Sequence, residues 1–579
     1  MNINTTRSAP SAVEWSPGLV LWPLAVAIAL AMLVPVFYLV IRALEADAGV
    51  LSLVAQPRTL HLLGRTLLLA GVVTALSLVI AVPLAWLTTR TDLPFRRFWT
   101  VALAVPLAIP SYLGAYTLIA ALGPRGMLQQ VLDQFIGMDR LPDLYGFPGA
   151  VLALTLFSYP YAYLNIRAAI QRLDPALEEA SRSLNQGGWR TFWRVIFPNL
   201  RPAMAAGGLL IGLYVFSDFG AVSVMQYDTF TRAIFVQYQA AFDRTYGAIL
   251  GLMLVVCTVG VLAVAMKLRS HSRRRYHRLG PGSHRRAVTA SLGAWRWPAL
   301  ALCAGVAFMS LVLPATVVMY WLLRGLAAGQ AVQPVYLAAL NSFWVSGLGA
   351  LACVVLAAPV ALVISRSNRA GARWLEGSVY VGYALPGVVV ALGLVFFGIQ
   401  VARPFYQTFF LLIFAYVVMF LPQAVGAWRN SLLQVSPHIE EAARSLGNSP
   451  WQVLRKVTLP LIRPGMLAGG ALVFLTVIKE LPATLLLSPI GFRTLATVVW
   501  SATDEAFYTR AAPAALLLLV ASFVSVFFLF ADERLPRKRK SSPAAVPAAG
   551  GMAGSAQAPP SEGSAASAAR ARADRPYEM

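Results

Sequence analysis

The sequence predicts an all-α polytopic membrane protein of about twelve transmembrane helices, built as two homologous six-helix halves. Three observations lead there: bilayer-length apolar runs recur along most of the chain, charge is scarce and clustered, and the second half repeats the first. Hydrophobic residues make up 58% of the 579 positions and charged residues 12%, where a soluble chain is about one quarter charged. Mean hydropathy is +0.66.

A hydrocarbon core of about 30 Å takes roughly 20 helical residues to cross. Such runs fall at about 20–42, 62–88, 99–121, 148–168, 202–223 and 246–267 in the first half. The second half gives about 296–322, 338–364, 375–400, 407–428, 464–487 and 511–531.

Lys and Arg placement sets the expected orientation, because positively charged loops stay in the cytoplasm. Arg90, Arg96 and Arg97 follow the second run, and Arg366, Arg369 and Arg373 follow the eighth. A linker holds Lys267, Arg269, Arg273, Arg274, Arg275, Arg278, Arg285 and Arg286, and the tail opens with Arg534, Arg537, Lys538, Arg539 and Lys540. The loop before the fourth run, with Asp133, Asp139 and Asp143 against Arg125 and Arg140, reads as external. Both termini are therefore expected in the cytoplasm. The net charge of +23 needs no nucleic-acid partner, since topology alone concentrates cations in short loops. A cleavable signal peptide is not expected, because the first apolar run is long and only Arg7 precedes it. Cys257, Cys303 and Cys353 sit inside apolar runs and indicate neither a disulfide framework nor a zinc site.

The halves repeat in register. Pro83 matches Pro359 and Pro110 matches Pro386, each 276 positions on, while Glu178 matches Glu440 at 262. The first half thus carries 14 extra residues between Pro110 and Pro175, most simply near Gly123 to Phe147. Same-direction repeats of six spans imply two similar bundles with a pathway between them. The expected layout is an N-terminal segment 1–19, a first half 20–268, a basic linker 269–295, a second half 296–532 and a tail 533–579. The tail, rich in Ala, Gly, Ser and Pro, reads as disordered.

Two polar segments stand out, 173–202 and 435–464. In each an N-cap residue precedes a proline, Asp174–Pro175 and Ser436–Pro437, and opens a short amphipathic helix. That helix ends at Asn185 or Gly447, the residue types that best tolerate a left-handed turn. A second helix follows, with Ser449, Pro450 and Gln452 forming a capping box in the later copy. In the earlier copy Trp189, Phe192, Trp193, Ile196 and Phe197 recur at helical spacing. Pro198 and Pro460 are expected to interrupt each second helix. Arg and Glu, including Glu178, Glu179 and Arg182, are expected outward and the aromatic residues toward the bundle. Amphipathic segments beside spans can simply lie on lipid, but lipid does not require both copies to keep Glu-Glu-Ala, Ser-Leu, Trp and a final Arg-Pro.

Both segments resemble the EAA loop of permease subunits of binding-protein-dependent ABC importers. Glu179, Ala180 and Pro198 match the pattern in the first copy, and Glu441, Ala442, Gly447, Leu459 and Pro460 in the second; Asn185 and Phe197 depart from the family's Gly and Leu. The resemblance implies the type I ABC importer permease fold. It also implies that Glu178, Glu179, Ala180, Asn185, Gly187, Trp189, Glu440, Glu441, Ala442, Gly447 and Trp451 couple the chain to two copies of a cytoplasmic ABC ATPase. The chain has no Gly-Lys dipeptide and so no phosphate-binding P-loop. ATP and Mg would then be used by the partner, with no cofactor on this chain, and a periplasmic binding protein would deliver the cargo at the bacterial inner membrane.

An acid within a span costs about 2.5–3.5 kcal/mol on insertion scales, which singles out Asp218 and Glu480, 262 positions apart. Roughly 24 Å of helix separates each from Pro202 or Pro464, placing both toward the external mouth. They can face each other across the pathway, with Lys479 beside them. Alternatively, Asp218 caps the helix break at Gly220 and Glu480 pairs with Lys479. The stretches from Ser217 and Lys479 resemble fused permeases for periplasmic ferric iron, a subgroup also similar to those for thiamine and phosphonates. His271, His277 and His284 all lie in the basic linker, so no span carries a His, Cys or Tyr cluster with metal-ligand spacing. A secondary transporter driven by an ion gradient shares the two-half design but has no reason to repeat a docking loop. A membrane enzyme would need a nucleophile, base and orienting group together, and none recurs.

Overall fold

The computed structural model describes residues 21–45, 52, 56–240, 244–273, 289–330, 335–367 and 370–534. The N-terminal segment 1–19, most of the basic linker and nearly all of the tail lie outside the described residues.

The first half runs α1 (Leu21–Leu44), α2 (Pro57–Arg90), α3 (Arg96–Ala102), α4 (Ser111–Leu122), α5 (Met127–Ile136), α6 (Phe147–Arg172), α7 (Pro175–Ser183), α8 (Gly188–Ser217), α9 (Gly220–Val224), α10 (Phe230–Ala240) and α11 (Arg244–Arg273). The second runs α12 (Gly293–Ala327), α13 (Tyr336–Arg366), α14 (Ala370–Ala384), α15 (Gly387–Gln400), α16 (Phe409–Leu432), α17 (Pro437–Ser445), α18 (Pro450–Val477), α19 (Pro482–Leu487), α20 (Leu495–Asp504) and α21 (Tyr508–Arg534). The order of elements repeats except for α5, which has no counterpart in the second half and lies within the stretch where the first half carries its 14 extra residues.

Among the described residues eight helices are long and apolar enough to cross a membrane, or ten if each of two bent pairs counts as one span. The count of eight to ten is made over the described residues alone, and it leaves out two of the twelve expected runs, the fourth and the last. Helix α6 exists where the fourth run was expected, but Ser158, Tyr159, Tyr161, Tyr163, Asn165 and Arg167 dilute its hydropathy. Helix α21 runs over Tyr508–Arg534, and its apolar stretch among the described residues covers Tyr508–Phe523.

The third and ninth runs, expected to be continuous, are broken. Their two parts bend by 102° and 98°, and the break falls at Pro110 and Pro386. Both prolines are extended, with φ/ψ of −61°/139° and −60°/139°, and each caps the helix that follows. A proline has no N–H to continue the preceding helix but suits the start of a new one. The expected interruption at Pro198 and Pro460 is of a different kind. Helices α8 and α18 continue through these prolines by way of π turns at Phe192–Ile196 and Leu454–Thr458, and α12 does the same at Phe308–Val312 before Pro314. Widening the turn ahead of a proline relieves its ring's clash with the carbonyl four residues back.

Within each half the long helices pack alike, α2 on α6 and α8, and α13 on α16 and α18. The first helix of each half crosses to the other: α1 lies against α15 and α12 against α4. Tyr38 meets Phe397 edge-on at 5.2 Å, and Arg42 lies 5.4 Å over Phe396. The halves are interlocked rather than two separate bundles.

Candidate functional site

Two constellations emerge from this frame: a pair of projecting loops and a cavity shared by the halves.

In the first loop Asp174 accepts the Ala176 N–H at 3.0 Å as Pro175 opens α7. Ser436 makes no such side-chain cap in the second. Both helices end in the left-handed turn that the sequence calls for, with φ of +54° at Asn185 and +81° at Gly447. The capping box before α18 forms: Gln452 N–H donates to Ser449 Oγ at 3.4 Å, and Ser449 N–H to Gln452 Oε1 at 2.9 Å.

The orientation of these loops corrects the sequence reading. Glu178 and Glu440, expected outward, are only 7% and 9% exposed. Glu440 Oε1 accepts from Arg366 Nη2 at 2.7 Å and from Thr458 Oγ1 at 3.0 Å. Glu178 Oε1 lies 3.4 Å from Arg90 Nη2. Arg90 and Arg366, read from the sequence only as topology signals, thus pin α7 and α17 to the ends of α2 and α13. Their recurrence at the 276-residue offset was the available signal. The aromatic residues also divide differently: Phe192 packs edge-on against Trp86 at 5.4 Å, but Trp189 is 74% and Trp451 67% exposed. Beside them Leu184 and Leu446 are 75% and 82% exposed. Glu179, Ala180, Gly187, Glu441 and Ala442 are exposed as well. Each loop therefore presents a small matched face of Leu, Trp and Glu at its turn.

The second constellation is a cavity of about 470 Å³ lined by Ser111, Tyr112 and Asp218 of the first half and Gln423, Lys479 and Glu480 of the second. It forms where four helices break, at Pro110, Pro386, Asp218 and Glu480. The structure brings Asp218, Lys479 and Glu480 together here. Asp218 takes the capping role, accepting from the Ala221 and Val222 N–H groups at 2.9 and 3.4 Å and from Ser111 Oγ. Glu480 Oε1 accepts the Ala483 N–H at 3.3 Å. Lys479 reaches across to the first half and donates to Leu107 O at 3.2 Å. Among the described residues no group of three His, Cys, Asp or Glu could hold a metal ion. Tyr112, which the sequence reading passed over, lines the cavity beside them.

Paired projecting loops and a central cavity shared by two repeated helical halves are the parts of a transport subunit, and the family match makes this chain one of the inner membrane. It belongs to the family described as binding-protein-dependent transport system inner membrane component, which matches residues 68–278 and 351–540. The chain is 35% identical over 510 residues to the Fe(3+)-transport system permease protein FbpB 2 of Haemophilus influenzae, covering 87% of this chain and 97% of the relative. It is 22% identical over 515 residues to the ferric transport system permease protein FbpB of Actinobacillus pleuropneumoniae, covering 85% and 74%. A shorter match, 29% over 195 residues and 34% of this chain, is to the sulfate transport system permease protein CysW of Escherichia coli. Family membership implies an ATPase and a substrate-binding protein as partners.

Proposed function

We propose that this chain moves ferric iron, handed over by a periplasmic binding protein, into the cytoplasm by alternating access. The observation that carries the cargo is similarity along nearly the whole chain to a permease described for Fe(3+) transport, whereas the sulfate relative aligns with about a third of it. Hydrolysis of Mg-ATP belongs to two copies of a partner ATPase. These dock on the turns around Asn185 and Gly447, with Leu184, Trp189 and Glu179 on one and Leu446, Trp451 and Glu441 on the other. Exposed Leu and Trp clustered at the turn of both repeats support that docking, because a recurring apolar face on a projecting polar loop gains from burial against a partner. Both termini and both loops lie on the cytoplasmic side in this scheme, and the halves 20–268 and 296–532 rock against each other around the cavity.

The test is uptake of radiolabelled ferric iron by proteoliposomes holding the chain, its ATPase and its binding protein. ATP-dependent accumulation is expected; accumulation of thiamine or a phosphonate in its place overturns the cargo. Replacing Glu179 and Glu441 with Arg is expected to abolish ATPase co-purification and uptake, and retention of both removes the docking scheme.

A further inference from the structure

The helix pairs that carry the loops, α2 with α8 and α13 with α18, each leave a groove along their contact. The two grooves differ in charge. The first, of about 700 Å³, is lined by aromatic side chains including Trp86, Phe192, Trp193 and Phe197, and its one ionisable lining residue is Glu178, which already faces Arg90. The second, of about 680 Å³, is lined by Leu351 and Val354 of α13 and by Leu467, Gly470 and Phe474 of α18, with Arg455 and Arg463 at the end nearest the loop. Trp193 stands in the first repeat where Arg455 stands in the second.

Neither arginine is used within the chain. Both are exposed, and among the described residues no carboxylate pairs with them and their guanidinium groups make no hydrogen bond. The apolar lining is open as well: Leu351 and Leu467 are 60% and 63% exposed, and α18 is the least buried of the eight candidate spans over its apolar window. Such a face meets hydrocarbon. Gly470 keeps the slot between the helices clear, since a Cβ there would sit 3.1 Å from Val354 Cγ2. From Arg463 to Phe474, where the ring meets Phe343 at 5.7 Å, the helix rises about 16 Å. That is half of a hydrocarbon core of about 30 Å, the depth reached by a lipid tail of one leaflet.

We propose that this groove binds one anionic phospholipid, with its phosphate on Arg455 and Arg463 and one acyl chain in the slot between α13 and α18. Guanidinium groups match phosphate oxygens in charge and geometry, and basic pockets between spans are where anionic headgroups bind. A zwitterionic headgroup brings its own cation to the two arginines and is disfavoured. The site lies beside the anchor of the second loop, because Thr458, which donates to Glu440, sits between the two arginines on α18. An occupied groove therefore steadies α13 against α18 where that loop is held. The first half, with Trp193 in place of Arg455, has no equivalent site, and the site is independent of the cargo.

The experiment is native mass spectrometry of the full chain in complex with its ATPase, delipidated in detergent and titrated with dioleoyl phosphatidylglycerol or dioleoyl phosphatidylcholine. The first phosphatidylglycerol is expected to bind more tightly than phosphatidylcholine. Arg455→Gln and Arg463→Gln should each weaken it by about fivefold, the effect of one cation near a membrane surface, and leave phosphatidylcholine unchanged. Lys456→Gln, an exposed charge beside the groove but outside its lining, should leave both lipids unchanged. Gly470→Leu fills the slot and should weaken both lipids while the chain still co-purifies with the ATPase. Equal affinity for the two lipids overturns the site, as does undiminished phosphatidylglycerol binding by the Arg455→Gln, Arg463→Gln double variant. A loss on Lys456→Gln as large as on Arg455→Gln overturns it too. Binding that appears only when the ATPase is removed would mean that the ATPase covers the groove, and the lipid site would fall.

Discussion

The two projecting loops share their Glu-Glu-Ala, Ser-Leu, Trp and final Arg-Pro but are fastened differently. In the second, Glu440 Oε1 receives hydrogen bonds from both Arg366 at 2.7 Å and Thr458 at 3.0 Å, tying α17 to α13 and α18. In the first, Thr458 is replaced by Ile196, and Arg90 spends Nη2 on Ile170 O and Leu173 O at 3.1 and 3.2 Å, at the end of α6. Glu178 stays 3.4 Å from Arg90, and neither Glu178 Oε1 nor Arg90 Nη1 makes a hydrogen bond among the described residues. The first loop compensates with Ser181 and Thr191, hydroxyl to hydroxyl at 2.9 Å, where the second has Ala443 and Val453. One loop is thus clamped to its bundle through the glutamate, while the other is braced internally, with its arginine holding the neighbouring span. Identical motors would push on a stiffer lever in the second half.

Breaking the clamp should give the largest effect. Arg366→Ala leaves Glu440 buried without its cation, and loss of one partner of a buried pair costs about 3–5 kcal/mol. The thermal unfolding midpoint in detergent should fall accordingly, with ATPase co-purification reduced. A midpoint unchanged from wild type would mean that the pair bears no load. Next in size is Thr458→Val, which keeps the shape and removes one donor to a charged acceptor, about 1.5–3 kcal/mol. Its counterpart Ile196→Val removes only a methylene, about 0.5–1.5 kcal/mol. Measured side by side, the second-half change should be the more damaging; equal losses would erase the distinction between the loops.

How much of this was legible follows the range of each signal. The turn residues Asn185 and Gly447, the Asp174 cap and the Ser449–Gln452 box act within a few residues, and the sequence displays them directly. The doubling of the chain was equally plain from Pro83, Pro110 and Glu178 against Pro359, Pro386 and Glu440. The bends at Pro110 and Pro386 were within reach, because a proline restrains the residue before it, but hydropathy averages over a break and reads one span. Burial of Glu178 and Glu440 was not, since their partners lie 88 and 74 positions away and a helix with Glu on one face satisfies several orientations. The cavity shared Asp218 and Glu480 with the repeat signal, while Tyr112 broke the repeat, and a search for symmetric residues passes over it.

The smallest expected effect lies at the turns themselves, where the left-handed position is Asn185 in one loop and Gly447 in the other. At φ of +81° Gly447 has no Cβ to strain, whereas Asn185 at +54° has one and relies on its tolerance of the left-handed region. Gly447→Asn should therefore cost somewhat under about 1 kcal/mol, and Asn185→Gly should change stability by a few tenths, because relief of the Cβ is offset by greater freedom of the unfolded chain. If turn geometry also sets how firmly each loop engages the ATPase, exchanging the two residues should move the loops' crosslinking yields to the ATPase in opposite directions. Yields that move together would instead place the asymmetry wholly in the Glu440 clamp, upstream of the turn and inside the bundle.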